Sequence, residues 1–481
     1  MLLSIAIDAV EPLADATPFG SVGAYERITG TAHGEIDPEL PAHRGIALIA
    51  QAPRNARGRV EYSTPVYLLR PADAARGSGR LLYEVNNRGR KMLFSSLADG
   101  PAGINDPRTR DDLGNAFPLT LGHVLVWSGW DPDAPRAKGG LALDAPVATD
   151  AGRPIVQRVR DEFVSGTRIG VLESFRLSHQ AASQSTDRAR LTVRACEADT
   201  PREVPPGDWA FIDARTIRLR DGLPVSPGYL YEFHYEATAP KVQGLGFAAT
   251  RDVVSHLRHH PDAMALTGRP ISHAMAVGIS QAGRYLRDHI SQGFNRDEDG
   301  RRVFDGVLSH IAGVGRVFLN APFAQPARTC TQHEDHRFPE NAFPFSAARQ
   351  TDPLTGQTGS LLPGDEGDPL LIEINTSTEY WQKGASLLHT DPLGSVDVAL
   401  PDSARVYLIA GTQHGGRAGM TADPGPAVNP RNPHNPMPAV RALLVALDAW
   451  VTSGQAPPPS RSNSPSSCPY RDRSSIFSTG R

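Results

Sequence analysis

Ala274-Met275-Ala276-Val277-Gly278-Ile279-Ser280-Gln281-Ala282-Gly283 is the stretch that decides how this chain folds. An apolar strand over 274–277 runs straight into Gly-x-Ser-x-Ala. From Gln281 a helix places Ala282, Tyr285, Leu286, His289 and Ile290 on one face. A serine on so tight a strand-to-helix turn takes a strained backbone that lifts its hydroxyl clear of the sheet. Gly278 and Ala282 must be small because the turn leaves no room for side chains two positions either side. The Gln281 N–H opens the helix, where it and the helix dipole can stabilise an oxyanion. A simple helix N-cap would explain Ser280 in isolation, but its place between a good strand and a good helix favours a nucleophile.

A serine hydroxyl is a poor nucleophile until a base takes its proton, so a histidine is expected downstream. Of the 16 histidines, His414 in Gly411-Thr412-Gln413-His414-Gly415-Gly416 is the best placed, after an apolar run at 406–410 and before a helix at 439–452. The group that orients the imidazole should fall between the two in chain order. Glu379, in Asn375-Thr376-Ser377-Thr378-Glu379-Tyr380-Trp381, lies just past a strand at 370–374. Functional groups gather at such carboxyl-terminal strand ends. Asp391 is its rival, and Glu373 falls within the strand.

Outward from this centre, short apolar runs at 45–50, 66–69, 81–85, 123–127, 229–236, 317–319, 370–374 and 406–410 read as strands. A helix is expected at 246–260. Residues 1–135 read as the first part of a core, 136–227 as a β-rich insertion and 228–320 as core carrying the serine. Residues 321–368, rich in Pro, Gly and aromatics, read as a cap or lid, 369–455 as the end of the core, and 456–481 as a disordered tail.

The 481 residues are 40% hydrophobic and 21% charged, with a net charge of -3, which suits a soluble globular protein and gives no basic face for nucleic acid. Cys196, Cys330 and Cys468 are widely spaced and read as isolated thiols. No apolar run spans a bilayer, and Asp8 interrupts the opening run before a signal peptide could form. A cytoplasmic protein without membrane partners is expected.

Several blocks together resemble a large family of mostly uncharacterised bacterial α/β-hydrolase-domain proteins. They are Gly244-Leu245-Gly246-Phe247-Ala248-Ala249-Thr250-Arg251-Asp252, Gly278-Ile279-Ser280-Gln281-Ala282-Gly283-Arg284, Gln292-Gly293-Phe294-Asn295 and Phe304-Asp305-Gly306-Val307. Further blocks are His310-Ile311-Ala312-Gly313, Phe323-Ala324-Gln325-Pro326, and the segments holding Glu379 and His414. The resemblance, over roughly 30–461, implies an α/β-hydrolase fold: a mostly parallel sheet with helices on both faces, leading antiparallel strands, a β-rich insertion and a cap or lid insertion. It implies the order Ser280, Glu379, His414, and makes the loop at Asn87 a source of the second oxyanion N–H. Family members continue in ordered sequence after the Pro-Pro-Ser-Arg block. Ser462 to Arg481 does not follow them, as a truncated or frame-altered terminus would read.

Other motifs compete. Gly244-Leu245-Gly246-Phe247-Ala248-Ala249 matches a dinucleotide fingerprint but lacks a strand directly before it, so close helix packing is the plainer reading. Asn295-Arg296-Asp297-Glu298-Asp299-Gly300 imitates a calcium loop, yet Gly306 stands where a bidentate Glu belongs. His256 and His260 share a helix face near its C-terminus, and His333-Glu334-Asp335-His336 lacks a matched third ligand. The expectation is ester cleavage of a small molecule by Ser280, His414 and Glu379, with Gln281 and Asn87 at the oxyanion and neither metal nor cofactor. A hydrolase-fold lyase or acyltransferase, or a nucleotide-binding oxidoreductase, is the rival.

Overall fold

Nine strands form the main sheet of the computed structural model, which describes residues 1–165, 174–220, 228–326, 338–423 and 428–460. They are β1 (Leu2–Pro12), β2 (Tyr25–Ile36), β3 (Val60–Pro71), β4 (Arg80–Val85), β5 (Val124–Ser128), β6 (His273–Ile279), β7 (Gly306–His310), β8 (Leu370–Thr376) and β9 (Ala404–Ile409). Their order is β1-β2-β3-β5-β4-β6-β7-β8-β9. The pairs up to β3–β5 are antiparallel, and from β5 to β9 every neighbour is parallel. The carboxyl ends of β4, β6, β7 and β8 therefore meet on one edge.

Alternation along β6 divides the core. Ala274 and Ala276 face helices α1 (Leu245–His259) and α2 (Gln281–Ser291), among Phe247, Val253, Leu286 and Ile290. Met275 and Val277 point the other way, toward Val440, Leu444 and Leu447 of the last helix (Met437–Ser453). A strand apolar on both faces suits only a sheet covered on both sides, and each large side chain so buried contributes about 1.5–3 kcal/mol.

Three local readings change. The 45–50 run is not a strand: a helical turn at Pro41–Arg44 and a 3-10 turn at Ile49–Gln51 bury Ile46 and Ile49, so its apolarity reflects burial alone. Residues 317–319 form no strand, because the N–H groups of Val317 and Phe318 donate to the Asp288 carboxylate at 2.7 and 3.2 Å. The sheet position belongs to β7. The 229–236 run extends over Leu230–Thr238 and pairs with Val156–Val164 in the insertion rather than in the main sheet. The polar face of α2 is buried too: Arg284 pairs with Glu340, Arg287 with Glu373, and Asp288 with Arg316.

Part of that covering, Glu340 included, comes from the segment read as a cap. Its residues 338–368 lie along α2, with the Phe345 carbonyl accepting from Arg287 Nη2 at 2.6 Å and Leu361 and Leu362 entering the core. Residues 327–337, which hold Cys330 and the His333–His336 cluster, lie outside the described residues, as do 461–481 with Cys468. Cys196 is exposed and free. The start of the expected tail is docked: Ser460 Oγ accepts from the Val406 N–H at 2.8 Å, alongside β9.

The insertion has its own core. A five-stranded sheet built on Val156–Val164, Arg190–Arg194 and Leu230–Thr238 and a three-stranded one containing Trp209–Asp213 and Thr216–Leu219 enclose Phe175, Leu191, Trp209, Ile217 and Phe233. Among the described residues no helix is long and apolar enough to cross a membrane.

His289 of α2 packs among Phe247, Tyr285, Phe294 and Phe304, and neither ring nitrogen has a partner among the described residues. Burial lowers its pKa from 6.5 to about 3. Below the higher value the unfolded chain takes up a proton that the folded chain refuses, so this group costs stability as pH falls. His289→Leu also removes an unpaired buried donor worth about 1–3 kcal/mol. Guanidinium denaturation should find the variant more stable than the parent, by a margin larger at about pH 5 than at about pH 8.

Candidate active site

Ser280 sits at the junction of β6 and α2 with φ 59° and ψ -117°. Its N–H donates to the His310 carbonyl at 2.8 Å, which pins the turn to the end of β7. A Cβ on Gly278 would come within 2.4 Å of the Ala282 carbonyl oxygen, and one on Gly283 within 2.8 Å of Ser309 Oγ. The small residues thus let the helix leave directly beneath the serine.

Ser280 Oγ lies 3.0 Å from His414 Nε2, and His414 Nδ1 lies 2.6 Å from Glu379 Oε1. Glu379 is fully buried, whereas the histidine side chain is 44% exposed. Glu379 stands in the first turn of the short helix Ser377–Gln382, whose capping box it completes: Thr376 N–H donates to Glu379 Oε2 at 2.9 Å and Thr376 Oγ1 donates to the same oxygen. One carboxylate oxygen is thereby fixed on the backbone and the other aimed at the imidazole. Burial alone would push the carboxyl up, but hydrogen bonds from His414 and Thr376 hold it below the ordinary carboxylate range. The loop carrying His414 is tied to the same helix, with His414 N–H donating to Thr378 Oγ1 at 3.1 Å and Gly411 N–H to Ser377 Oγ at 2.9 Å. Asp391 is elsewhere, accepting from the Ser395 and Val396 N–H groups in its own turn.

Gln281 opens α2, so its N–H has no carbonyl partner within the helix. Asn87 does not fit the role expected of it. Its N–H donates to the Arg90 carbonyl at 2.8 Å, closing a tight turn in which Asn86 Oδ1 also takes the Gly89 N–H at 2.5 Å.

This loop rests on charges that no motif had marked. Buried Glu84 accepts from Met92 N–H at 2.6 Å and from Trp127 Nε1, and burial pushes its pKa up to about 7. Burial likewise lowers Lys91 to about 7, with its Nζ 3.8 Å from the Tyr67 ring centroid. A charged residue within an apolar strand was the available signal for Glu84. Arg90, Lys91 and Met92 continue into a cleft of about 460 Å³ that also takes in Ile279, Ile311 and His414.

The competing motifs are spent on packing. A Cβ on Gly246 would approach the Trp130 carbonyl oxygen to 2.1 Å, so the glycines serve helix contact. The Asp297 carboxylate is occupied by Ser255 Oγ, the Asp299 and Arg301 N–H groups and Arg301 Nε. The His256 and His260 rings stack 4.3 Å apart.

A parallel sheet with a strained serine at the end of its central strand, and a histidine arriving after the last one, defines the α/β-hydrolase class. Residues 209–466, more than half of the chain, match the family described as alpha/beta hydrolase domain, and the protein belongs to that family. The family places it among hydrolases. Among solved structures it is similar to one titled "The Atomic Resolution Structure of a Novel Bacterial Esterase", at 10% identity over 89% of this chain and 96% of that one, with a TM-score of 0.29. The chain matches none of the curated proteins.

Gly278→Ala should cost about 1–3 kcal/mol by overpacking the turn. Denaturant titration would read that loss, and an unshifted midpoint would mean the helix can move away from the strand.

Proposed function

We propose that the protein is a serine hydrolase that cleaves a carboxylic ester through an acyl-enzyme. The observation that carries this reading is the unbroken relay from Ser280 Oγ through His414 to buried Glu379, at 3.0 and 2.6 Å, with the serine in a strained backbone. His414 Nε2 takes the hydroxyl proton as Ser280 Oγ attacks the ester carbonyl carbon. Glu379 holds the Nδ1–H tautomer and balances the imidazolium charge. The Gln281 N–H, at the positive end of α2, supports the developing oxyanion. The same His414 proton then passes to the departing alkoxide, and a water activated by His414 releases the acid.

The alcohol half must lie within reach of His414, since that ring protonates it. The cleft beside His414, with Met92, Ile279, Ile311 and Met437 in its wall, supplies an apolar place for it.

A fluorescent fluorophosphonate should label Ser280, as mapped by mass spectrometry, and Ser280→Ala should lose the label while keeping its fold. Glu379→Gln should lower kcat on an activated ester by about 10⁴, by analogy with amide replacement of a triad acid. Well-folded protein that takes no label would sink the proposal. An acyl-enzyme discharged by an added alcohol but not by water would make it an acyltransferase.

A further inference from the structure

A second cavity opens between the main sheet and the insertion, with a volume of about 660 Å³. Arg88, Arg136, Arg176, Arg215 and Lys241 stand in its wall, against one lining carboxylate, Asp133. Lys241 Nζ and Arg215 Nη1 share Asp133 Oδ1 at 2.9 and 3.4 Å. Arg88 Nε is 2.6 Å from buried Asp131, and Arg136 Nη2 is 2.6 Å from Asp144. Arg176 is exposed and has no carboxylate partner among the described residues. The cations outnumber the carboxylates that answer them, and guanidinium forks suit a planar carboxylate.

The cavity is linked to the turn that carries Ser280 through a single contact. Pro326 lines it, and the Pro326 carbonyl accepts from the side-chain amide of Gln281, the residue after Ser280. Arg88 follows Asn87 at the carboxyl edge of β4. The alcohol half of a substrate belongs on the His414 side, which leaves the acyl half to extend toward this wall.

We propose that this cavity is an acyl-side subsite for a carboxylate, so that the substrate is a monoester of a dicarboxylic acid. The inference rests on the serine-hydrolase reading. The Ser280 Oγ–acyl bond forms as the ester C–O bond breaks, the alcohol leaves with the His414 proton, and water releases the free dicarboxylate. The far carboxylate stays ionised and unreacted against the arginines.

Two measurements test it. The first compares kcat/KM for mono(4-nitrophenyl) glutarate and its neutral methyl-capped counterpart, in the parent protein and in the Arg176→Gln/Arg215→Gln double variant. The parent should prefer the anionic ester, and the double variant should lose about tenfold of that ratio, or some 1.4 kcal/mol. Added salt should erode the preference in the parent. A parent that favours the neutral ester, or a ratio unmoved by the two substitutions, overturns the proposal.

The second measurement titrates glutarate by calorimetry into Ser280→Ala protein, with and without the two arginine substitutions. Glutarate heat that vanishes with the arginines supports the subsite even if neither ester is turned over, in which case the hydrolytic reading alone fails. Absence of glutarate binding, or tighter binding of inorganic phosphate, overturns the carboxylate assignment.

Discussion

Ser280 holds a positive φ that an L-residue avoids, and the surroundings of the site follow from keeping it there. The strain persists because both flanks of the turn are over-determined. Behind it, the Ser280 N–H is tied to β7 through the His310 carbonyl. Beneath it, Gly278 and Gly283 let α2 press against the strand ends with no side chain between. The helix cannot drift away, since its aromatic and aliphatic face is sealed in one core and its charged face is paired with Glu340, Glu373 and Arg316. Buried ion pairs are poor sources of net stability but costly to break singly. They therefore lock the position of α2.

Glu379 uses the same economy of groups. One carboxylate oxygen caps a helix and the other reaches His414, while Ser377 and Thr378 of that helix hold the loop that carries the histidine. A single turn of helix thus positions the carboxylate and the imidazole together. Hydrogen bonds from His414 and Thr376 hold the carboxyl below the ordinary range in spite of its burial.

The two cavities differ in character. On the His414 side the cleft mixes apolar side chains with Arg90, Lys91 and Arg417. On the insertion side cations dominate, contributed by one loop of the core, by the segment before α1 and by the insertion. The β-rich insertion thus lends basic residues to a cavity wall as well as forming a separate packing unit.

Much of this was legible in the sequence. Strand β6, the turn at Ser280, the helix after it and the positions of Glu379 and His414 follow from local patterns, since periodicity and tight-turn sterics act over a few residues. What tertiary structure alone decided involves partners distant in the chain. The 45–50 and 317–319 runs are apolar because they are buried, and apolarity does not distinguish a strand from a packed turn. The Leu230–Thr238 strand could have joined either sheet, and its register with Val156–Val164 settled the matter. The charged face of α2 is buried against Glu340 and Glu373, which lie far along the chain. Asn87 lost its expected role to a hydrogen bond within its own turn, which no spacing rule reveals. The cationic cavity is the clearest case: its five basic residues come from five separated places in the chain, and only tertiary packing brings their charges together.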